Sequence, residues 1–345
     1  MSRIIDCMER RLLPDLVIRR GIRSLLKARL SAEDRGNIEA DRAAERDFIE
    51  TLRRSPIAVA TDEANLQHYE LPPDFFRLVL GARLKYSCCL FAEGIKSLDA
   101  AEEAMLELTC RRAEIVDGMD ILELGCGWGA LTLWMAERYP RCSLTAVSNS
   151  RLQQEHIRSE CEKRGLANVQ LVKADMNDFH SDQRFDRVVS LEMFEHMRNY
   201  QALLLRISTW LKNGGKLFVH IFCHARYAYF FETEGTGNWL GKYFFTGGIM
   251  PSDQLLLYFQ DDMVLEEHWR VSGSHYRKTA EAWLGNLDKH ERLLVPVLQA
   301  VYGTSEAERW LQRWRIFFMA CAELWGFRTG EEWWVSHYLF RRREG

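Results

Sequence analysis

The chain has 345 residues, of which 47% are hydrophobic and 28% charged, a composition typical of a globular protein with one large domain or a core with an insertion. Its formal net charge of −3 argues against a nucleic-acid surface, because such surfaces carry a basic excess. No apolar run is long enough to span a bilayer, and we expect no signal peptide. The nine cysteines form no C-x-x-C pair, so we predict neither disulfides nor a metal site, and a cytoplasmic setting.

Residues 1–100 are predicted to form a helical segment. Ile4, Met8 and Leu12 recur at helical spacing, and Pro14 suits the first turn of a second helix. The first thirty residues carry eight Arg or Lys against three acids. A basic amphipathic helix can rest on a membrane surface, but helices packed against the main domain, with a solvated basic face, are the favoured interpretation.

Residues 101–345 are predicted to form the main domain, in which strands and helices alternate. Its first five strands are "MDILELGCG", "CSLTAVS", "VQLVKAD", "FDRVVSLEM" and "KLFVHIFC". Alternation with short links favours a doubly wound α/β sheet. The runs "VLEEHWRVSG" and "EEWWVSHYLFRR" are predicted as two later strands. An aromatic, glycine-rich insertion at about 224–261 and helices at about 276–325 are predicted to form a cap over the sheet.

The ends of the predicted strands carry the candidate functional residues. Ligands of a doubly wound sheet bind at the carboxyl ends of its strands. That rule places the following residues along one rim: Gly125 to Gly129, Ser148, Asp175, Glu192 to His196, and His220.

The loop "ELGCGWG", Glu123 to Gly129, follows the first strand and opens a helix. Its spacing is G-x-G-x-G with an acid two residues before the first glycine, which is typical of methyltransferases that bind S-adenosylmethionine. A nicotinamide-binding protein would carry an acid at the end of the second strand, where this chain reads "VSNS". The pattern therefore favours S-adenosylmethionine, with Asp175 at the adenine and Asn149 or Gln153 at the ribose.

Glu192, Glu195 and His196 lie within five positions at the tip of the fourth strand. A carboxylate there can complement a helix dipole, and a lone histidine is most often structural. The other interpretation is catalytic: a carboxylate orients an ammonium group while an imidazole accepts its proton.

Several long motifs resemble the plant coclaurine-type N-methyltransferases, within the cyclopropane fatty acid synthase family. They are "QHYELPPDFF", "LKYSCCLF", "LELGCGWGALTL", "LEMFEHMRNY", "YFFTGG", "LLLYFQDD" and "GEEWWVSHYLF". The resemblance covers essentially the whole chain. It implies a Rossmann-like class I methyltransferase core with a seven-stranded, mostly parallel sheet, a helical N-terminal segment and an inserted cap. It also implies N-methylation of a small aromatic or alicyclic amine, similar to a benzylisoquinoline alkaloid.

The resemblance assigns roles to individual residues. Glu195 and His196 are the implied acid and base, and Glu192 lies beside them. Donor contacts are expected at Tyr86, Ser87, Glu123, Gly125, Gly127, Gly129, Ser148, Asn149, Gln153, Asp175, Met176 and Leu191. Substrate contacts are expected at Glu70, Cys88, His220, Tyr276, Trp239, Phe244, Trp325, Phe327 and Trp333. Trp333 and Trp334 point to opposite faces of a strand, so only one can face the pocket, and the resemblance favours Trp333.

Two other functions are weighed against this one. The lipid branch of the family modifies phospholipid alkenes around a bicarbonate ion, for which the candidates here are Cys88, Glu195, His220 and Tyr276. However, "FVHIFCH" departs from the "HTIG"-like stretch of those enzymes, and "YFFTGG" and "LLLYFQDD" favour the amine branch. A donor-binding protein without catalysis is disfavoured by the complete glycine loop and the Glu195–His196 pair. The sequence leaves a homodimer open.

Overall fold

The computed structural model describes residues 2–59, 71–235 and 237–343. Its centre is a seven-stranded sheet with the order β3-β2-β1-β4-β5-β9-β8. Strands β1 to β5 are parallel, and β9 runs antiparallel to both of its neighbours. This arrangement confirms the predicted α/β fold. The strands are β1 (Asp120–Leu124), β2 (Ser143–Ser148), β3 (Val169–Lys173), β4 (Phe185–Leu191), β5 (Leu211–His224), β6 (Tyr229–Phe230), β7 (Ile249–Met250), β8 (Met263–Val271) and β9 (Trp333–Arg342).

Twelve α-helices lie in the described part of the chain. They are α1 (Ser2–Glu9), α2 (Asp15–Glu33), α3 (Ile38–Arg54), α4 (Pro73–Val79), α5 (Leu98–Arg112), α6 (Ala130–Arg138), α7 (Arg151–Arg164), α8 (Tyr200–Trp210), α9 (Trp239–Tyr243), α10 (Gly273–Lys289), α11 (Glu291–Tyr302) and α12 (Ala307–Trp325). Short 3₁₀ helices cover Phe194–His196, Leu255–Tyr258 and Phe327–Gly330.

Local sequence sets where these helices begin and end. The Ser150 side chain caps α7, and Gly165 ends that helix in the left-handed conformation, as the sequence predicts. The run "YQALLLRISTWLKNGG" predicts a helix that stops at its two final glycines. That prediction is wrong, because α8 ends at Trp210 and β5 begins at Leu211. A register irregularity between Phe185 and Arg187 on the neighbouring strand accompanies this early start.

Register brings the ends of the central strands together. Leu124 at the end of β1 pairs with Val147 on one side and Ser190 on the other. Leu191, the last residue of β4, pairs with His220 in β5. Strands β2 and β3 lie on one side of β1, and β4 and β5 lie on its other side. The loops after β1 and β4 therefore border the crevice in which such folds bind ligands.

The basic N-terminal segment packs against the last helices through buried and paired side chains. Ile18 of α2 is buried. Arg19 binds Glu281 and Glu323 at 2.7 and 3.1 Å, while Arg315 of α12 reaches back to Asp15 at 2.7 Å. Across the described ranges, no helix has both the length and the apolar character needed to cross a membrane.

A buried carboxylate fixes the loop that enters the crevice before α5. Glu102 of α5 is fully buried, and its Oε1 accepts from the backbone amides of Gly81 and Lys85 at 3.0 and 3.1 Å. Its Oε2 accepts from the Arg83 amide at 2.7 Å. One side chain therefore holds the backbone that presents Lys85 and Cys88 to the site.

Replacing Glu102 with Gln should lower the free energy of unfolding by about 1–3 kcal/mol, because an amide NH₂ would face backbone N–H donors and leave one of them unpaired. Chemical denaturation measures this loss. Glu103→Gln is the matched control: its carboxylate pairs with Arg83 on the surface, so the change should stay within about 0.5 kcal/mol. Equal losses in the two variants would contradict the anchoring role of Glu102.

Candidate active site

A cavity opens where β1, β2, β3 and β4 end. The described residues that line it are Val59, Gly125, Gly127, Val147, Ser148, Asn149, Gln153, Ala174, Asp175, Met176, Glu192, Met193, His196 and Met197. Seven of the predicted donor-binding residues are among them, in the loops that follow successive strands. We call this the donor cavity.

The glycine loop needs its glycines for two different reasons. Gly125 has φ 77°, and a Cβ there would lie 2.8 Å from Met193, so the loop after β4 packs directly on its backbone. Gly127 has φ 52° with open space where a Cβ would point. A Cβ at Gly127 would therefore meet no protein atom within 4 Å, and because Gly127 lines the donor cavity, we expect a larger side chain there to fill part of it.

A side-chain N–H₂ group of the donor cavity has no hydrogen-bond partner among the described residues. Ser148 donates to Gln153 Oε1 at 2.7 Å. Gln153 Nε2 is buried and has no hydrogen-bond partner among the described residues. A buried amide N–H₂ facing a cavity indicates a ligand that accepts hydrogen bonds, and a ribose hydroxyl of S-adenosylmethionine fits that need.

Five predicted donor contacts are not among the residues that line the donor cavity. Glu123 is buried beneath the loop, where it accepts from Thr132 Oγ1 at 2.5 Å and burial raises its pKa to about 8. Gly129 precedes α6 and packs on Ile157, and Leu191 packs in the core. Ser87 accepts from Lys85 Nζ at 2.5 Å, and Tyr86 lines the second cavity instead.

The second cavity, here called the acceptor cavity, has an aromatic and aliphatic wall with a few polar groups. Its described lining is Tyr86, Glu192, Glu195, His196, Phe222, Phe231, Leu240, Phe245, Met250, Tyr276, Trp283, Phe317, Cys321, Leu324 and Trp325. Tyr276 and Trp325, both predicted, stack with ring centroids 4.7 Å apart. Sequence reasoning missed most of the others, since their position facing the cavity depends on how the cap packs.

Four predicted aromatic contacts lie outside this lining. Trp239 donates to Glu9 Oε1 at 2.9 Å, and Trp333 donates to the Tyr229 hydroxyl at 3.2 Å. Phe327 packs edge-on against Trp333. Phe244 stacks behind the wall on Phe317, with centroids 4.4 Å apart, so it supports a lining residue. Glu70 lies outside the described residues.

The two cavities meet at Glu192 and His196, which line both. Glu192 is not at the start of a helix, as the dipole interpretation requires: it has φ 48°, in the left-handed region, and precedes the 3₁₀ turn. Its amide donates to the His220 carbonyl at 2.8 Å. A strained backbone at a non-glycine residue needs surrounding contacts that hold it, and such residues cluster at functional sites.

Three donors from three parts of the chain converge on the Glu192 carboxylate. Oε1 accepts from the Cys88 amide at 2.9 Å and lies 3.1 Å from His220 Nε2. Oε2 accepts from the Tyr276 hydroxyl at 2.5 Å. These are three of the residues expected to surround a bicarbonate ion in the lipid branch. Here they already bind a carboxylate of the chain itself, and the fourth candidate, Glu195, is not part of that set.

Burial sets the charge of the neighbouring groups. Glu195 is 1% exposed, and its Oε2 has no partner in the described part of the chain. Burial, and then the charge of Glu192, raise the pKa of Glu195 well above its usual value. Burial lowers the pKa of His196 to about 4, which Glu192 opposes. Burial therefore favours the protonated form of Glu195 and the neutral form of His196.

Glu192 is held differently from Glu195. Burial raises its pKa, while the charge of Lys85, the Cys88 amide and the Tyr276 hydroxyl act in the other direction. Lys85 is itself 1% exposed and donates to Ser87 Oγ and the Cys88 carbonyl at 2.5 and 2.6 Å. At Glu192, a lysine charge and two hydrogen bonds therefore oppose the effect of burial on the ionised form, whereas at Glu195 the charge of Glu192 adds to that effect.

The sheet topology, the glycine loop and the donor cavity define an S-adenosylmethionine-dependent class I methyltransferase. Residues 59–332 match the model of the mycolic acid cyclopropane synthetase family. The chain belongs to this family.

The chain is 40% identical to (S)-coclaurine N-methyltransferase of Thalictrum flavum subsp. glaucum, over 99% of this chain and 95% of that protein. It is 29% identical to cyclopropane-fatty-acyl-phospholipid synthase of Escherichia coli (strain K12), over 78% of this chain and 66% of that protein. A crystal structure of coclaurine N-methyltransferase bound to N-methylheliamine and SAH superposes with a TM-score of 0.95 at 38% identity, covering 98% of this chain and 99% of that one.

S-adenosylmethionine should stabilise the protein, by about 2.7 kcal/mol at a hundred times its Kd, because it binds the folded state alone. Gly127→Leu should remove that stabilisation, since the new side chain fills the donor cavity. Melting curves with and without the donor measure both effects.

Gly165→Leu is the matched control. Gly165 also has a positive φ and open space, so both variants carry a similar backbone strain of about 1–2 kcal/mol, but Gly165 lies at the far end of α7. Loss of the donor's effect in both variants, or in neither, would contradict the proposed donor site.

Proposed function

We propose that the protein transfers the methyl group of S-adenosylmethionine to the nitrogen of a small aromatic or alicyclic amine of the benzylisoquinoline type. The observation that carries the proposal is that Glu192 and His196 line both the donor cavity and the acceptor cavity. An amine nitrogen beside these two side chains lies at the boundary that the methyl group crosses. The similarity to amine methyltransferases over nearly the full chain supports the same class of acceptor.

The reaction requires an unprotonated nitrogen. Bound donor supplies an electrophilic methyl group; the nitrogen lone pair forms the new N–C bond while the C–S bond breaks and its electron pair stays on sulfur. An aliphatic amine with a pKa of about 10 is neutral in roughly one molecule in a thousand at pH 7, so presenting the neutral form costs about 4 kcal/mol. The site must bind the ammonium form and then hold its proton.

The Glu192 carboxylate answers the first need. It is buried, accepts hydrogen bonds from three residues and lies at the cavity boundary, so its ionised form attracts an ammonium group strongly where little water screens the interaction. The aromatic wall adds cation–π attraction for the same charge. Burial and the charge of Glu192 both raise the pKa of Glu195, which favours a single negative charge on the two glutamates and so matches one ammonium group.

The same carboxylate answers the second need better than the imidazole does. With a pKa of about 4, His196 lies roughly six units below the amine, so moving the amine's proton onto His196 costs about 8 kcal/mol, more than the release of that proton to solution at pH 7, which costs about 4 kcal/mol. Burial raises the pKa of Glu192 and narrows that gap. We therefore assign the amine's proton to Glu192, with Glu195 as its neutral partner and His196 as the group that orients the nitrogen toward the donor.

The alternative lipid-modifying activity has less support in the site. Three of the four residues expected to hold its bicarbonate ion, namely Cys88, His220 and Tyr276, already bind the Glu192 carboxylate. An uncharged alkene carries no positive charge with which the Glu192 carboxylate could pair. The amine branch is therefore the function proposed.

Incubation with isotopically labelled S-adenosylmethionine and a panel of acceptors tests the proposal. Secondary amines with linked or fused aromatic rings should gain a labelled N-methyl group, detected by mass spectrometry. Vesicles of unsaturated phospholipid, with added bicarbonate, should remain unmodified. Gly127→Leu serves as the donor-blind control and should give no labelled product with any acceptor.

Two results would overturn the proposal. A labelled cyclopropane ring or methyl branch on the lipid chains would place the protein in the lipid branch. Donor binding without turnover of any amine or lipid would favour a binding protein without catalysis.

A further inference from the structure

Behind Glu192, a hydrogen-bonded row of side chains runs from His220 of β5 through His337 of β9 to Arg112 of α5. His220 Nδ1 lies 2.9 Å from His337 Nε2, and His337 Nδ1 lies 2.8 Å from Arg112 Nη1. The row follows strand register: His337 of β9 pairs with His220 of β5, which pairs with Leu191, the residue before Glu192. Both histidines are fully buried, and neither is among the residues that line the donor or acceptor cavity.

The chemistry of arginine gives this row a direction. A guanidinium group can donate hydrogen bonds but cannot accept them, so His337 Nδ1 must be the acceptor and carry no proton. Neutral His337 then carries its proton on Nε2 and donates to His220 Nδ1. By the same step, His220 carries its proton on Nε2 and donates to Glu192 Oε1. Arg112 thus fixes the tautomer of both histidines and makes Glu192 the final acceptor.

We propose that Arg112, His337 and His220 are positioning residues that hold Glu192 as an ionised, fixed carboxylate for the amine methylation proposed above. The row links a positive charge in the last turn of α5 to a negative charge in the active site through two neutral rings. Its three side chains are not among the described residues that line either cavity. It cannot carry the reaction's proton away, because its far end accepts no proton; its function is to set the charge of Glu192.

The environment of the row favours neutral imidazoles at its two histidines and a positive charge at Arg112. Burial, with the nearby charges of Lys85 and Arg112, lowers the pKa of both histidines well below the usual value. Burial lowers the pKa of Arg112 to about 10, so it stays cationic at neutral pH. Arg112 also lies over the ring of Trp269, with its guanidinium carbon 5.0 Å from the centroid, and Trp269 pairs with His337 in register.

Other charged and titratable groups act on Glu192 from the elements around it, and they stay unchanged in the experiment below. They are Lys85 and Cys88 from the loop before α5, Glu195 and His196 from the 3₁₀ turn, Tyr276 from α10 and Cys321 from α12.

Arg112→Met tests the proposal by pH profile. Without the Arg112 guanidinium, the two histidines can move their protons from Nε2 to Nδ1, and His220 then no longer donates to Glu192. The loss of that hydrogen bond raises the pKa of Glu192. The acidic limb of kcat/KM should move up by about one pH unit, which is the low end of the shift usual for losing an opposite charge. Turnover should fall about tenfold on that limb and little at high pH, while the affinity for S-adenosylmethionine stays unchanged. Arg112→Lys, which keeps a donor-only cation, should restore part of the profile.

Arg111→Met is the matched control, because it removes the same charge from the adjacent, exposed position and leaves the row intact. Its pH profile should match that of the unaltered protein. A profile in Arg112→Met that superimposes on the unaltered one, or a uniform loss at all pH values with a lower melting temperature, would overturn the proposal.

A second measurement does not depend on the substrate being an amine. In protein labelled with ¹⁵N-histidine, His220 and His337 should each show a protonated Nε2 and a bare Nδ1 between pH 6 and 9, with assignments from His220→Gln and His337→Gln. Arg112→Met should lose this pattern. The opposite tautomer, or a charged imidazole at pH 7, would overturn the proposed role of the row even if amines are methylated. The predicted tautomers without amine turnover would instead contradict the proposed function alone.

Discussion

The site depends on the placement of one buried carboxylate at the end of β4. Glu192 takes a left-handed backbone conformation, and its oxygens accept from Cys88, His220 and Tyr276. These residues come from the loop before α5, from strand β5 and from the cap helix α10, so one charge orders three parts of the chain around it. Burying a carboxylate is costly unless it is hydrogen-bonded and paired, and the surrounding structure supplies that compensation.

The same constraint separates the roles of two glutamates three residues apart. Glu192 has three hydrogen-bond donors and a nearby lysine, whereas Glu195 has burial and a like charge. Burial raises the pKa of both groups, but the opposing contacts at Glu192 and the like charge at Glu195 separate their pKa values, which is how an active site obtains different acid–base behaviour from identical side chains. The aromatic and aliphatic wall of the acceptor cavity reduces the screening by water, and so strengthens the attraction between the Glu192 carboxylate and an ammonium group.

Much of this could be predicted from the sequence, and the limits have physical causes. Strand alternation and the glycine loop predict the sheet and the donor cavity because both depend on local spacing. The resemblance pointed to Glu192, Glu195 and His196, but their division of labour depends on partners such as Cys88 that lie far away in sequence. Trp333 was favoured as a pocket residue and instead donates to Tyr229, because the cap decides which aromatic faces the cavity. Arg112 and His337 carry no sequence signal, since only strand register brings them into line with Glu192.

The most direct test of the account compares two amines in Glu192→Gln. One is a secondary aliphatic amine that is protonated at pH 7, and the other is an aromatic amine of similar shape that is already neutral. If Glu192 binds the ammonium and holds its proton, turnover of the first should fall by at least about a hundredfold, and turnover of the second should fall far less, at unchanged donor affinity. An equal loss for both amines would show that Glu192 only maintains the structure of the site, and would contradict the account.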